Sequence, residues 1–268
     1  MTDAIMPFLG AIQPVCTSSE QIEARYLSAH GEVRQQFYPT AVALAMDAPR
    51  WAKEWNCYFG VSLRHGTGGT EQHCTRVGAL WADVDAKLWA DEADPHAAAW
   101  AALRRFGLHL TATVSTTNGI HAYLGIAEPF GLRDPSTRAT FTAINAAFAR
   151  ALCGPERKPD AVHDAARVLR LPDTFNHKTT PPHPVELTSC EPAHRYSLSE
   201  VVAYLTTHHP WAMDQPRTVR EPRALMARNG ETYGRPGDDY NSRAYCLTEE
   251  CNPSTGCCLM GYLTATRP

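Results

Sequence analysis

The sequence predicts an α/β (α+β) fold, and three observations carry that prediction. Some stretches place apolar residues at helical spacing, while others alternate apolar and polar residues at period two. The two kinds are interleaved along the chain, separated by Gly, Pro and Asn turns, and no segment repeats another. The length of 268 residues, 44% of them hydrophobic, suffices for one large core or for two lobes sharing a cleft.

In chain order, Glu20–His30 reads as a helix and Val33–Tyr38 as a strand. A helix is expected over Ala41–Trp55, interrupted by Pro49. Cys57–Leu63 alternates and reads as a strand leading to Arg64, followed by a glycine-rich loop, His65–Thr70. Leu80–Val84 is an apolar strand ending in acids. Trp89–Phe106 contains a helix that buries Trp100, Leu103 and Phe106, and Leu110–Ser115 is the next strand. Asn118-Gly119 signals a tight turn, after which Ile120, Ala122 and Leu124 share one face of a strand. Pro135–Leu152 is the clearest helix, with Phe141, Ile144, Phe148 and Leu152 at helical spacing. Asp134-Pro135 opens it and Gly154-Pro155 closes it. Val185–Leu187 reads as a closing strand, and Ser197-Leu198-Ser199-Glu200 is a capping box starting a helix to about Leu205.

Composition narrows the function classes. No apolar run is long enough to span a bilayer. Met1–Gly10 lacks a basic region and is broken by Pro7, so it does not read as a signal peptide. Nine cysteines without a secretory signal point to reduced thiols in a cytoplasm. A net charge of −3 argues against a protein that coats nucleic acid non-specifically, while leaving room for a local basic cleft.

Three segments carry chemistry. In Gly78–Lys87, Asp83 and Asp85 flank Val84 at a strand end. Alternation turns both carboxylates one way, roughly 7 Å apart, with Ala82 and Val84 facing the core. A hard divalent cation, Mg²⁺ or Mn²⁺, suits two such acids; a solvated pair in a turn is the plain alternative. In Val114–Leu124, His121 and Tyr123 share the face opposite Ile120, and a hydrogen-bonded sheet histidine is the plain alternative there. Asp164–Lys178 packs Asp164, Arg167, Arg170, Asn176, His177 and Lys178 into one short run. Its plain reading is a helix cap followed by a solvated basic face.

Together these segments resemble the archaeo-eukaryotic primase superfamily, in particular the primase-polymerase domains of plasmid and phage replication proteins, which include bifunctional primase/polymerase and RepB-like primase domains. That family carries an acid-x-acid strand, a small-x-His strand and a third acid in this chain order. Asp83-Val84-Asp85, Gly119-Ile120-His121 and Asp164 match them. The run Ala166–Pro172 followed by Asn176-His177-Lys178 resembles the family's strongest local signature. Asp173 stands where glycine is expected, and aspartate tolerates the left-handed backbone better than most residues. The resemblance covers about Ile22 to Leu187.

The resemblance implies a two-lobed primase-polymerase fold, an RRM-like catalytic sheet facing an N-terminal α/β lobe. Residues 1–207 would form the catalytic domain, and 208–268 a basic linker with Arg217, Arg220, Arg223, Arg228 and Arg235 and a short, truncated or disordered tail. It implies template-directed nucleotidyl transfer on DNA template and primer with nucleoside triphosphates, in plasmid, phage or mobile-element replication. Asp83, Asp85 and Asp164 would hold two divalent ions about 4 Å apart. His121 would donate to the triphosphate; Arg170, Asn176, His177 and Lys178, and also Arg64 and Lys87, would contact phosphate or sugar. The stretch Gly234–Arg243 resembles the junction beyond such domains. With no Walker-type motif in the sequence, a replicative helicase would be a separate partner. Zinc is an alternative at Cys57, His65, His73 and Cys74, whereas the C-x4-C-x5-C-C spacing of Cys246, Cys251, Cys257 and Cys258 suits one tetrahedral site poorly. Two rival functions remain: a different Asp-x-Asp metal-dependent transferase, and a non-catalytic or remnant initiator that binds DNA.

Overall fold

The computed structural model describes residues 4–213 and the strands at 224–226 and 232–234. The helices are α1 (Ile5–Ile12), α2 (Ala41–Ala52), α3 (Pro95–Arg105), α4 (Pro135–Cys153), α5 (Leu198–His208) and α6 (Pro210–Met213). The strands are β1 (Glu20–Ser28), β2 (Val33–Tyr38), β3 (Trp55–Gly60), β4 (Ser62–His65), β5 (Cys74–Asp85), β6 (Ala112–Ser115) and β7 (Gly119–Gly131). They continue as β8 (Val168–Arg170), β9 (Thr174–Asn176), β10 (His183–Cys190), β11 (Arg195–Tyr196), β12 (Ala224–Met226) and β13 (Thr232–Gly234). The chain divides into two units, Met1–Gln215 and Pro216–Pro268; within the second, β12 and β13 pair antiparallel.

The first unit is built on an 11-stranded sheet in the order β8-β3-β1-β4-β5-β7-β6-β10-β9, with β2 beside β1 and β11 beside β7. Every pairing is antiparallel except β11 with β7. The terminal strands of this path, β8 and β9, are separated in sequence only by Leu171–Asp173, so the sheet curls until its ends meet at one turn. Asp173 makes that turn with φ 61°, the left-handed backbone expected where glycine was missing, and its Oδ2 accepts the Ala4 N–H at 3.2 Å.

Phe8 of α1 plugs the concave side, edge-on to Phe59 at 5.3 Å and to Tyr123 at 5.1 Å. Helix α4 lies along β5: Phe141 meets Trp81 at 5.6 Å, and Asn145 Oδ1 accepts the Trp81 backbone N–H at 2.8 Å. That bond satisfies a strand amide beyond the reach of β4, whose pairing with β5 ends at Val77. α4 runs as expected from an Asp134 cap to Gly154, which takes φ 90°, and buries Phe141, Ile144, Phe148 and Leu152. The capping box at Ser197 and Glu200 is formed.

One expected helix is a strand. Glu20–His30 is rich in helix formers, but Glu20–Ser28 is β1, which pairs with β2, β3 and β4. Ile22, Ala24 and Tyr26 are buried at period two. The charged residues between them are buried too: Glu23 Oε2 accepts Arg64 Nε at 2.7 Å, and Arg25 also pairs with Glu23. Buried ion pairs masked the alternation that would have marked the strand. The helix expected over Ala41–Trp55 ends at Ala52, with Pro49 accommodated inside it, because Trp55 already belongs to β3.

Candidate active site

β5 and β7 put the acid pair and the histidine together. Asp83 lies directly opposite His121 and Asp85 opposite Gly119, while Ala82 and Val84 are fully buried as the alternation predicts. Gly119 explains the small residue of its motif: a Cβ there would lie 2.2 Å from the Val84 carbonyl oxygen. His121 Nε2 stands 3.8 Å from Asp83 Oδ1, beyond hydrogen-bond length. Burial, reinforced by the charge of Arg170, pushes the imidazole down to about 3, so it is neutral at neutral pH and keeps one N–H to donate. Its Nδ1 and the Tyr123 hydroxyl are buried without partners among the described residues.

The acids gather around a lysine. Asp85 Oδ1 accepts the Lys87 backbone N–H at 2.9 Å, and Lys87 Nζ spans Asp85 Oδ2 at 3.0 Å and Asp160 Oδ2 at 2.9 Å. Burial first, then the charges of Asp85 and Asp160, push Asp83 up to about 6. Asp160 was not singled out from the sequence. It belongs to a loop without regular structure, and its only signal is tertiary: Arg157 donates to the Leu88 carbonyl and pairs with Asp91, pinning the loop beside Lys87. Asp164 is paired with Arg167 at 2.6 Å, and the Arg167 charge acts on Asp83. Among the described residues no three acid, histidine or cysteine side chains converge as a ready ion cage. The donor set still suits a hard cation: carboxylate oxygens, an excess of negative charge, and an ammonium already bridging two of them.

A second cluster is built around Arg170, whose charge acts on His121. Arg170 is buried, and its guanidinium donates from Nη1 to Asn56 Oδ1 at 3.0 Å and from Nη2 to Asn176 Oδ1 at 2.7 Å, with Tyr58 beneath at 5.0 Å. None of the ion pairs among the described residues includes Arg170. Burial, then the Arg170 charge, lowers Lys178, whose backbone N–H donates to Asn176 Oδ1 at 3.2 Å. Asn176 Nδ2 in turn donates to Thr117 Oγ1 at 2.6 Å. Asn56 and Thr117 were not expected from the sequence: Asn56 lies outside the motif segments, and Thr117, although within Val114–Leu124, shows its role only through its bond to Asn176.

Other expected residues are placed differently. Arg64 is wholly buried and donates to Glu23, to the Cys74 thiol and to the Ala165 and Ala166 carbonyls. It is a strut under the segment carrying Asp164. His177 turns its ring to the Ala52 carbonyl at the end of α2, at 2.9 Å. Cys57, His65, His73 and Cys74 do not assemble as ligands: Cys57 bonds the Trp55 carbonyl, Cys74 the Ala165 carbonyl, and His73 the Thr70 hydroxyl. Cys246, Cys251, Cys257, Cys258 and the arginines of the linker lie outside the described residues.

No protein-family model matches the sequence, and no curated protein matches it. Among solved structures, the primase-polymerase (PrimPol) of cyanophage S-2L, in its archaeo-eukaryotic primase (AEP) domain, matches with a TM-score of 0.56 and 17% identity. That match covers 76% of this chain and 98% of the other. The crystal structure of the primase RepB′ matches with a TM-score of 0.48 and 16% identity, over 79% of this chain and 64% of that one. The first likeness shows that this chain has the AEP primase fold, as its motifs implied.

Proposed function

We propose that this chain is a primase-polymerase: a template-directed nucleotidyltransferase that makes or extends primers on DNA in plasmid, phage or mobile-element replication. The observation that carries the reading is Arg170, a buried cation with no carboxylate partner among the described residues, whose charge acts on both His121, opposite Asp83, and Lys178. A buried positive charge held only by neutral oxygens is costly unless an anion arrives, and a triphosphate is that anion. Its shared fold with a PrimPol domain supports the same reading, and the two lobes of that architecture would lie on either side of this seam.

In this reading Asp83 and Asp85 hold divalent ions, completed by Asp164 on the motif or by Asp160 on proximity. Bound Mg²⁺ or Mn²⁺ would activate the primer hydroxyl and neutralise the triphosphate. Asp83 and Asp85 orient oxygens toward the ions, Arg170 and Lys178 draw the phosphates, and neutral His121 donates one N–H to them without acting as a base. Arg64 and Arg167 hold the Asp164 segment in place.

Primer synthesis on single-stranded DNA with Mn²⁺ and nucleotides tests the reading. Wild type should make product, whereas Asp83→Asn and Arg170→Met should each lose at least a hundredfold, the usual scale for removing one preorganised charge contact. Template binding without synthesis in wild type would favour the non-catalytic initiator. Turnover of a nucleotide sugar in place of primer synthesis would favour the other metal-dependent transferase.

A further inference from the structure

We propose that Asn56 and Asn176 are positioning residues that keep the positive charge of Arg170 available to a polyphosphate, an inference that rests on the nucleotidyltransferase reading above. The two amide oxygens grip the two ends of one guanidinium, at 3.0 and 2.7 Å. A guanidinium fork fits a carboxylate equally well, and most buried arginines are matched by one. Here, both partners are neutral. The geometry of a salt bridge is kept while its charge cancellation is left out.

Both amides are themselves fixed, so the grip is rigid. Asn56 and Asn176 are 3% and 4% exposed. Asn56 sits on β3 opposite Leu27; its Nδ2 donates to the Leu27 carbonyl at 3.3 Å, and its Oδ1 also accepts the His177 N–H at 3.0 Å. Asn176 ends β9 and is tied through Nδ2 to Thr117 in the turn before β7. Two bonds from different strands therefore aim Arg170, one from the β1–β3 part of the sheet and one from the turn that leads to His121. The amides orient the cation and leave its charge for the ligand.

Calorimetric titration of inorganic triphosphate into the full chain, without divalent ions, separates this role from a structural one. Asn176→Asp is the decisive variant, because the Thr117 hydroxyl can reverse and donate to the new carboxylate, so every bond survives and only a charge is added. Asn56→Asp adds the same charge but loses the bond to the Leu27 carbonyl. Both should weaken triphosphate binding by about tenfold or more, the scale of one charge-assisted hydrogen bond. Asn176→Asp should melt no lower than wild type, since a buried cation gains a counter-ion. Wild-type affinity in both variants, with Arg170→Met losing binding, overturns the amide role alone. Wild-type affinity in Arg170→Met, or no binding by wild type, overturns this inference together with the nucleotidyltransferase reading.

Discussion

At the scale of single residues, the acids of this site are not equivalent. Asp83 is pushed up to about 6 by burial and by its neighbours Asp85 and Asp160, so its charge costs stability when no ion is bound. Asp164 forms a close pair with Arg167. Asp83→Asn should therefore raise the melting temperature in chelator while abolishing synthesis. Asp164→Asn should lower that temperature by about 2–4 °C, the equivalent of roughly 1 kcal/mol. Melting curves with and without Mn²⁺ check both signs, and a fall in both variants would mean that Asp83 is also stabilising. Asp83 and Asp85 were legible in the sequence because strand alternation alone determines their shared face, and His121 through the motif order of the resemblance. Asp160 was not, since its place depends on the Arg157 clamp across the chain.

At the scale of elements, the contact between β5 and β7 depends on one missing side chain. A Cβ at Gly119 would meet the Val84 carbonyl at 2.2 Å, and neither backbone can yield without parting the strands that carry Asp83 and His121. Gly119→Ala should cost about 1–3 kcal/mol, the usual penalty for overpacking, and should lower synthesis more than the stability loss explains. Unchanged melting and activity would show that the strands separate freely there. β1 makes a second, pH-dependent tie. Although burial works to raise the Glu20 carboxyl, bonds from Arg76, Thr17 and Thr75 hold it at about 2, against 4.5 ordinarily. Its stabilisation is complete above pH 4.5 and is lost as pH falls through about 2. Denaturant midpoints from pH 7 to pH 2 should fall less steeply below pH 4.5 in Glu20→Gln, from a lower start; parallel curves would remove Glu20 from the acid limb.

For the whole molecule, α6 lies just beyond the expected domain edge at 207. α6 follows α5 directly, Ala212 is fully buried, and Arg150 of α4 donates from Nε to the Ala212 carbonyl at 2.9 Å. A chain ending at His208 leaves the Arg150 guanidinium without that acceptor and uncovers Phe106, which meets His209 at 5.5 Å. A chain ending at Gln215 keeps these contacts. The longer form should melt like full length and retain nucleotidyl transfer, with weaker and less salt-dependent template binding as the linker arginines are lost. The shorter form should melt several degrees lower. Equal melting of the two would make α6 dispensable, and loss of activity at Gln215 would assign a catalytic part to the residues beyond.

The sequence alone determined the α/β class, the span of α4 and the shared face of the two acids at one strand end. Each of these is a local property: periodicity, caps and turn residues act over a few positions, and an Asp-x-Asp strand end shares a face wherever it is placed. Only the tertiary structure decided that Glu20–Ser28 is a strand, that Arg64 is a strut, and that Asp160 joins Asp85 through Lys87. It also decided that Asn56, 114 positions from Arg170, holds the guanidinium. These placements follow from closing a curled sheet on itself, which brings distant strands into hydrogen-bond reach and buries charges in pairs. No stretch of sequence short enough to read locally contains both partners.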